Sequence, residues 1–317
     1  MSVKQTIQGK AFEYACLVSL YNQLIATQQE VVIENNNAYH TAKNCFNIIE
    51  NQQNLLLGAE AAVRIILRLE PQLENPLNNK PLYLSIQADA RGMVGDVRDL
   101  LCIRQQNQWE IGISCKHNHS AVKHSRLSST IDFGDRWFNI PCSQSYFNAI
   151  NPLFDELNDM TAKGMLWRNI RNKEDRFYVP LLMAFVAELQ NLDIANPRQI
   201  PARLITYLLG INDFYKVIAI DNRRVTQIQA FSMYGTLNRP AGRNRPQVRI
   251  PQLQMPNIFH DISFKPRSKN TIIITCDHGW AISMRIHNAR TKVEPSLKFD
   301  VKLVGIPPGL YTHHEPW

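Results

Sequence analysis

Apolar side chains recur at helical spacing near the start of the chain. Phe12, Ala15, Cys16 and Ser19 share one face, and Leu20 and Leu24 extend it. Over residues 55–73, Leu56, Ala59, Val63, Ile66 and Leu67 form a second stripe, which Pro71 disturbs near its end. Asparagine and glutamine crowd residues 35–54, which read as a polar connection between two helices. Near residue 81 the period changes to two. Leu82, Leu84 and Ile86 alternate as in a strand, and the acidic, Gly-punctuated ADARGMVGD follows as a turn. Residues 99–104 and 109–116 predict two strands joined by a polar turn at 105–108, a β-hairpin whose second strand ends in Lys116.

Residues 120–210 read as helical again, most apolar over 179–192, with a further helix at 200–209. The last third turns to strands, predicted at 215–220, 225–231, 271–275, 281–286 and 297–304. This is an α/β pattern. It predicts a helical N-terminus and central core over 1–210, followed by a β-rich region over 211–317, or one continuous domain.

Composition narrows the class. The chain has 317 residues, 44% of them hydrophobic, too apolar for a disordered protein. No continuous apolar run reaches the roughly 18–20 residues of a membrane span, and the start lacks the apolar core of a secretory signal. Six cysteines at 16, 45, 102, 115, 142 and 276 include no CxxC pair, so neither a zinc ribbon nor a disulfide framework is expected. Reduced thiols and a cytoplasmic location are expected instead. Lys and Arg number 35 against 27 Asp and Glu, a net +8 that suggests a polyanionic partner. No GxGxxG, Walker loop or GxSxG appears, so no nucleotide cofactor is expected. Asp277 and His278 are adjacent and predict a structural turn rather than a catalytic pair.

Candidate chemistry concentrates in the hairpin. With the turn at 105–108, Asp99 stands across from about Ser114, two residues before Lys116. Side chains alternate along a strand, so Glu110, Gly112, Ser114 and Lys116 share a face. A carboxylate facing a lysine at a strand end suits phosphodiester hydrolysis. The carboxylate binds a divalent metal, and the lysine orients or deprotonates water or stabilises charge on phosphate. The polar, cationic run that leaves the strand, His117, Asn118, His119, Lys123, His124, Ser125 and Arg126, suits DNA contacts. His117 and His119 are too close in sequence for an HNH metal site. Arg239, Arg243, Arg245 and Arg249 crowd a second segment without acids, and bidentate arginine is the commonest reader of guanine.

The hairpin resembles the PD-(D/E)xK nucleases, except that Ser114 stands where an acid is usual. The resemblance to S-x-K variants implies that the missing carboxylate comes from another element. Glu110 is one source, although it lies about 13 Å from Ser114 at roughly 3.3 Å per residue. Glu13 in the first helix is the other and is favoured; Asp96 and Asp89 are further candidate ligands. The string GISCKHNHSAVKHSRLS resembles the HaeIII-type family of type II restriction endonucleases, and GDVRDLL and LKFDVKLVGIPPG look similar to the same group.

That family implies a Mg²⁺-dependent endonuclease acting on double-stranded DNA at GGCC and leaving 5′-phosphates. The expected core is a mixed sheet with helices on both faces, with Asp99, Ser114, Lys116 and Glu13 as candidate catalytic residues and Asp99, Glu13, Asp96 and Glu110 as candidate metal ligands. The β-rich C-terminal part would recognise DNA. A palindromic target is compatible with a homodimer or with a monomer cutting the strands in turn. A repair or structure-selective nuclease is the alternative enzyme, and a non-catalytic DNA-binding module the alternative outside catalysis.

Overall fold

The computed structural model describes residues 3–27, 30–74, 81–105, 108–123 and 125–317. In chain order the first elements are α1 (Val3–Ala26), β1 (Val31–Ile33), α2 (Asn37–Ile48), α3 (Gln52–Leu69), β2 (Leu82–Ile86), β3 (Leu100–Arg104) and β4 (Trp109–His117). Then come β5 (Arg126–Leu127), α4 (Phe133–Phe138), α5 (Gln144–Ala162), α6 (Val179–Ala195) and α7 (Ile200–Leu209). The remainder is β6 (Phe214–Ile220), β7 (Val225–Phe231), β8 (Phe259–Phe264), β9 (Thr271–Cys276), β10 (Ala281–His287), β11 (Leu297–Leu303) and β12 (Tyr311–Pro316).

These elements form two compact units, and the chain passes between them repeatedly. One unit joins Met1–Ser120, Gly210–Leu253 and Gly309–Trp317; the other joins Ala121–Leu209 and Gln254–Pro308. The chain does leave the second unit between Leu209 and Gly210, near the expected boundary, but residues 211–317 are divided between the two units and 1–210 likewise. Strand pairing gives the reason. β6 lies parallel beside β4, and parallel neighbours need a long crossover rather than a tight turn. The chain builds part of the second unit in that crossover. It builds the rest before β12 returns to pair with β7.

The first unit is built on a mixed seven-stranded sheet in the order β1-β2-β3-β4-β6-β7-β12. Phe12, Cys16 and Leu20 of α1 and Ala59, Val63 and Ile66 of α3 share one core with Ile111, Ile113 and Cys115 of β4. Tyr215, Val217 and Ala219 of β6 alternate into the same core. The three helices of this unit thus gather on one face of the sheet, where both faces were expected to be covered. Residues 35–54 are also more ordered than expected. Asn36 accepts the Tyr39 N–H at 2.8 Å and caps α2, whose only buried residue is Ala42.

The second unit carries the five-stranded antiparallel sheet β5-β11-β10-β9-β8 and helices α4–α7. Phe133, Trp137, Phe185 and Phe299 pack edge-on or tilted in its core. Residues Glu174–Ala195 form one helix long and apolar enough to cross a membrane, which the sequence reading did not anticipate. Here Leu181, Leu182, Phe185 and Leu189 of that helix are buried in the unit, and Glu188 accepts the Ser143 N–H at 2.6 Å. Asp277 caps the β9–β10 turn by accepting the Asn257 and Ile258 N–H groups, which makes it the structural turn expected.

The basic segment 238–249 is held at the C-terminal end of α3. Glu70 is fully buried and accepts the Tyr215 hydroxyl at 2.6 Å and the Asn238 N–H at 2.5 Å. Asn238 in turn donates to Leu69 and Val248 carbonyls and accepts the Ile250 N–H. Burial pushes the Glu70 carboxyl from 4.5 up to about 7, against the opposing effect of those two bonds. A raised folded pKa stabilises the fold below 4.5, and that contribution disappears as pH rises through 7. Glu70→Gln is expected to flatten the pH dependence of urea unfolding between pH 4.5 and 7 by roughly 3 kcal/mol. Identical profiles for both proteins would show that Glu70 ionises as an ordinary carboxyl.

Candidate active site

The hairpin register sets the site. Leu100 pairs with Ile113, so Asp99 enters the sheet opposite Ser114, and its N–H donates to the Ile113 carbonyl at 2.9 Å. The Asp99 carboxylate then receives three donors on one oxygen, Oδ2. The Cys115 N–H lies at 2.7 Å, Lys116 Nζ at 3.0 Å and Ser114 Oγ at 3.2 Å. Burial pulls the Lys116 ammonium down, but the charge and hydrogen bond of Asp99, with help from Glu13, outweigh it and raise its pKa. Lys116 Nζ is thereby anchored on Asp99.

Glu13 reaches the same place from α1. Phe12 and Cys16 on either side of it are core residues, and Phe12 packs on the His117 ring at 6.0 Å. Glu13 is 6% exposed. Burial and then the Asp99 charge push its carboxyl up to about 8, with Lys10 and Lys116 opposing. Lys10 Nζ donates to Glu13 at 2.9 Å and to Asp89 at 2.5 Å. Burial opposes the Lys10 charge, but the two acids prevail and keep it protonated. A cavity of about 470 Å³ opens over Lys10, Glu13, Lys116, His117, Asn118 and His119.

The structure thus brings Asp99, Ser114, Lys116 and Glu13 together. It leaves Asp96 and Glu110 elsewhere. Arg98 holds both, with Nη2 at 2.7 Å from Asp96 and Nη1 at 2.5 Å from Glu110. Arg98 outweighs the burial of Asp96 and lowers its pKa. Both acids are therefore corrected from metal ligands to counter-ions of a buried guanidinium. Asp89, exposed, pairs with Lys10.

Several expected DNA contacts are turned inward. His117 has a side chain 3% exposed, and its Nε2 lies 2.8 Å from the Asp221 carboxylate. Asn118 donates to Asp221 and accepts the Asp221 N–H. His119 lines the cavity. In the second unit, Lys123 donates to the Tyr207 carbonyl at 2.7 Å and sits over its ring, and burial pulls it down to about 8. Ser125 is buried against the Tyr207 hydroxyl. Arg126 is exposed and bonded to Ser296 and Glu294. His124 lies outside the described residues.

Arg239, Arg243, Arg245 and Arg249 are all exposed. Their segment is tied by Gln72 to Pro240 at one side and to Arg104 at the other. Arg104 is five residues from Asp99 along β3, about 17 Å at strand rise. These arginines therefore sit at the end of the sheet remote from Lys116.

Three charged residues escaped the sequence reading. Lys10 was legible as the i,i+3 partner of Glu13 on a helix. Lys216 of β6, paired in register with Ser114, is a lone lysine in the apolar run FYKVIAI, and that isolation was its signal. Its Nζ donates to the Ser120 carbonyl at 2.7 Å, and burial, then the Lys116 charge, pulls its pKa down to about 7. Asp221 carried no signal, because nothing local links a turn residue to His117. Among the described residues, no cluster of three or more His, Cys, Asp or Glu side chains gathers for a metal. The Asp99 and Glu13 carboxyl groups remain, a hard-oxygen pair that a divalent cation keeping most of its own waters would fit.

The family model described as HaeIII restriction endonuclease matches residues 9–307. The chain is 43% identical over 320 residues to the type II restriction enzyme HaeIII of Haemophilus aegyptius, covering 100% of this chain and 99% of that protein. No solved structure matches.

Gly112 shows how closely the hairpin is fitted. A Cβ there would overlap the Cβ, Cγ and Cδ of Arg98, which crosses the glycine to reach Glu110. Gly112→Ala is expected to displace Arg98 and cost about 1–3 kcal/mol in urea unfolding. An unchanged unfolding midpoint would show that Arg98 does not depend on this gap.

Proposed function

The chain belongs to the HaeIII restriction endonuclease family, and from that premise we propose that it is a type II site-specific deoxyribonuclease of PD-(D/E)xK type. In this reading it acts in the cytoplasm on double-stranded DNA at GGCC. It requires Mg²⁺ and leaves 5′-phosphates. The observation that carries the reading is the Asp99 carboxylate, gripped by the Cys115 N–H and Lys116 Nζ beside a second, buried carboxylate, Glu13.

Asp99 and Glu13 would hold the divalent ion. When bound, that ion supplies Lewis-acid stabilisation of the phosphate and a more acidic water. The chain's own groups do the rest. Ser114 and the Cys115 N–H fix Asp99, and Ser114 needs no charge of its own because Glu13 provides the second carboxylate. Lys116, held protonated by Asp99, offers its ammonium to the phosphate as negative charge builds there. Water adds to phosphorus and gives up a proton to solvent, the P–O3′ bond breaks, and O3′ takes a proton from solvent to leave as a hydroxyl, so the phosphate stays on the 5′ end of the downstream fragment. Lys10 keeps Glu13 in place from the cavity wall.

The test is digestion of a plasmid of known sequence in Mg²⁺. Discrete fragments ending at GGCC with 5′-phosphates are expected. Smearing, structure-selective nicking, or binding without cleavage would overturn the reading in favour of a repair nuclease or a binding module. In the same assay Lys116→Ala is expected to lower single-turnover cleavage by about 10²–10⁴ while duplex binding survives. Glu13→Gln should fall comparably and Glu110→Gln should cut at near the wild-type rate. The reverse order would move the second carboxylate to Glu110.

A further inference from the structure

The turn between β6 and β7 stands at the same end of the sheet as Lys116. It contains Asp221, Asn222 and Arg223, and it is clamped from below. Asp221 receives His117 Nε2 and Asn118 Nδ2, returns its N–H to Asn118 Oδ1, and the Asn118 N–H donates to the Ala219 carbonyl. The next residue, Arg224, adopts a left-handed φ of 49°. It exchanges hydrogen bonds with Trp317, Nε to carbonyl at 3.0 Å and carbonyl from N–H at 2.9 Å. Both sides of the turn are therefore fixed before any ligand arrives, which lowers the ordering cost of a contact made there.

The tip itself is unspent. Asn222 and Arg223 are exposed, and neither side chain has a hydrogen-bond or ion-pair partner among the described residues. Both line a second concavity of about 550 Å³ with Ile218 and Ile220. That concavity shares Asn118 and His119 with the cavity over Lys116 and Glu13. A strand that lays its reacting phosphate against Lys116 therefore continues along a wall ending at Arg223. What a strand offers within one or two nucleotides of the cut is its next phosphate, and a planar guanidinium binds phosphate oxygens in bidentate fashion.

We propose that the 221–223 turn is a preformed DNA-backbone contact, in which Arg223 grips a phosphate neighbouring the scissile one. The proposal rests on duplex DNA being the substrate, as argued above. It assigns Arg223 to binding and register rather than to base reading. It also gives His117 and Asn118 a role as positioning residues, holding the turn instead of touching DNA.

The experiment is fluorescence anisotropy of a labelled duplex containing GGCC, and of one with a single mismatch, titrated without Mg²⁺ over a range of salt. One phosphate contact contributes about 0.9 to the slope of log affinity against log salt. Arg223→Ala is expected to reduce that slope by about 1 and to weaken both duplexes about tenfold at 0.1 M salt relative to 1 M. Arg223→Lys, which keeps the charge, should restore the slope. The side chain is exposed, so an unchanged melting temperature in both variants is expected. An unaltered slope and affinity in Arg223→Ala would overturn the proposal. Loss of discrimination between the two duplexes at constant slope would also overturn it and make Arg223 a base reader. Wild-type protein that binds both duplexes but cuts neither in Mg²⁺ would instead defeat the nuclease reading, and it is scored separately.

Discussion

One carboxylate oxygen organises the end of the sheet where the candidate site lies. Asp99 Oδ2 is reached by the Cys115 N–H, the Lys116 ammonium and the Ser114 hydroxyl, all from consecutive residues of β4. Such a convergence needs the strand register to be right to the residue, since a slip of one would send Ser114 and Lys116 to the other face. The register is in turn held by what lies beneath it: Ile111, Ile113 and Cys115 in the helical core, and Arg98 crossing Gly112. The packing of α1 against that same core carries Glu13 to the site. The apolar order of the first unit and the geometry of its charges are thus one constraint seen at two levels.

The charges around Asp99 are unequal by construction. Lys10 pairs with Glu13 and Lys116 with Asp99, while Lys216 feels the Lys116 charge and donates to the Ser120 carbonyl. Burial makes each of these groups sensitive to its neighbours, which is why Glu13 rises and Lys216 falls. A divalent cation and a phosphodiester brought together would satisfy both signs at once. Arg98 contributes by subtraction, because it pairs with Asp96 and Glu110 and leaves Asp99 and Glu13 as the carboxyl groups of the proposed metal pair.

Much of this was legible in the chain and some was not. The hairpin and the pairing of Asp99 with Ser114 followed from strand alternation and the position of a polar turn, both local quantities. The strands at 225–231, 271–276 and 281–287 were visible within a residue or so for the same reason. The helix α2 was hidden because its asparagines favour caps and turns over helix interiors, and its start depends on the Asn36 cap. The edge strands β8 and β12, FHDISF and YTHHEP, were missed because exposed edges need little apolar alternation. A change of unit near 210 was legible, but the passages at 120 and 254 were not, because the pairings of β4 with β6 and of β7 with β12 are long-range facts. The cationic run after Lys116 looked like a DNA surface from composition alone, whereas Asp221 and Tyr207 claim its His117 and Lys123.

Asp99 and Glu13 are proposed above to act as one metal-binding pair. The most direct measurement is anomalous diffraction from crystals of the protein soaked in Mn²⁺. A peak bonded to both the Asp99 and Glu13 carboxylates, with Lys10 withdrawn from Glu13, is the predicted result. A peak at Asp96 or Glu110, or one on Asp99 from which Glu13 stays apart, would contradict it.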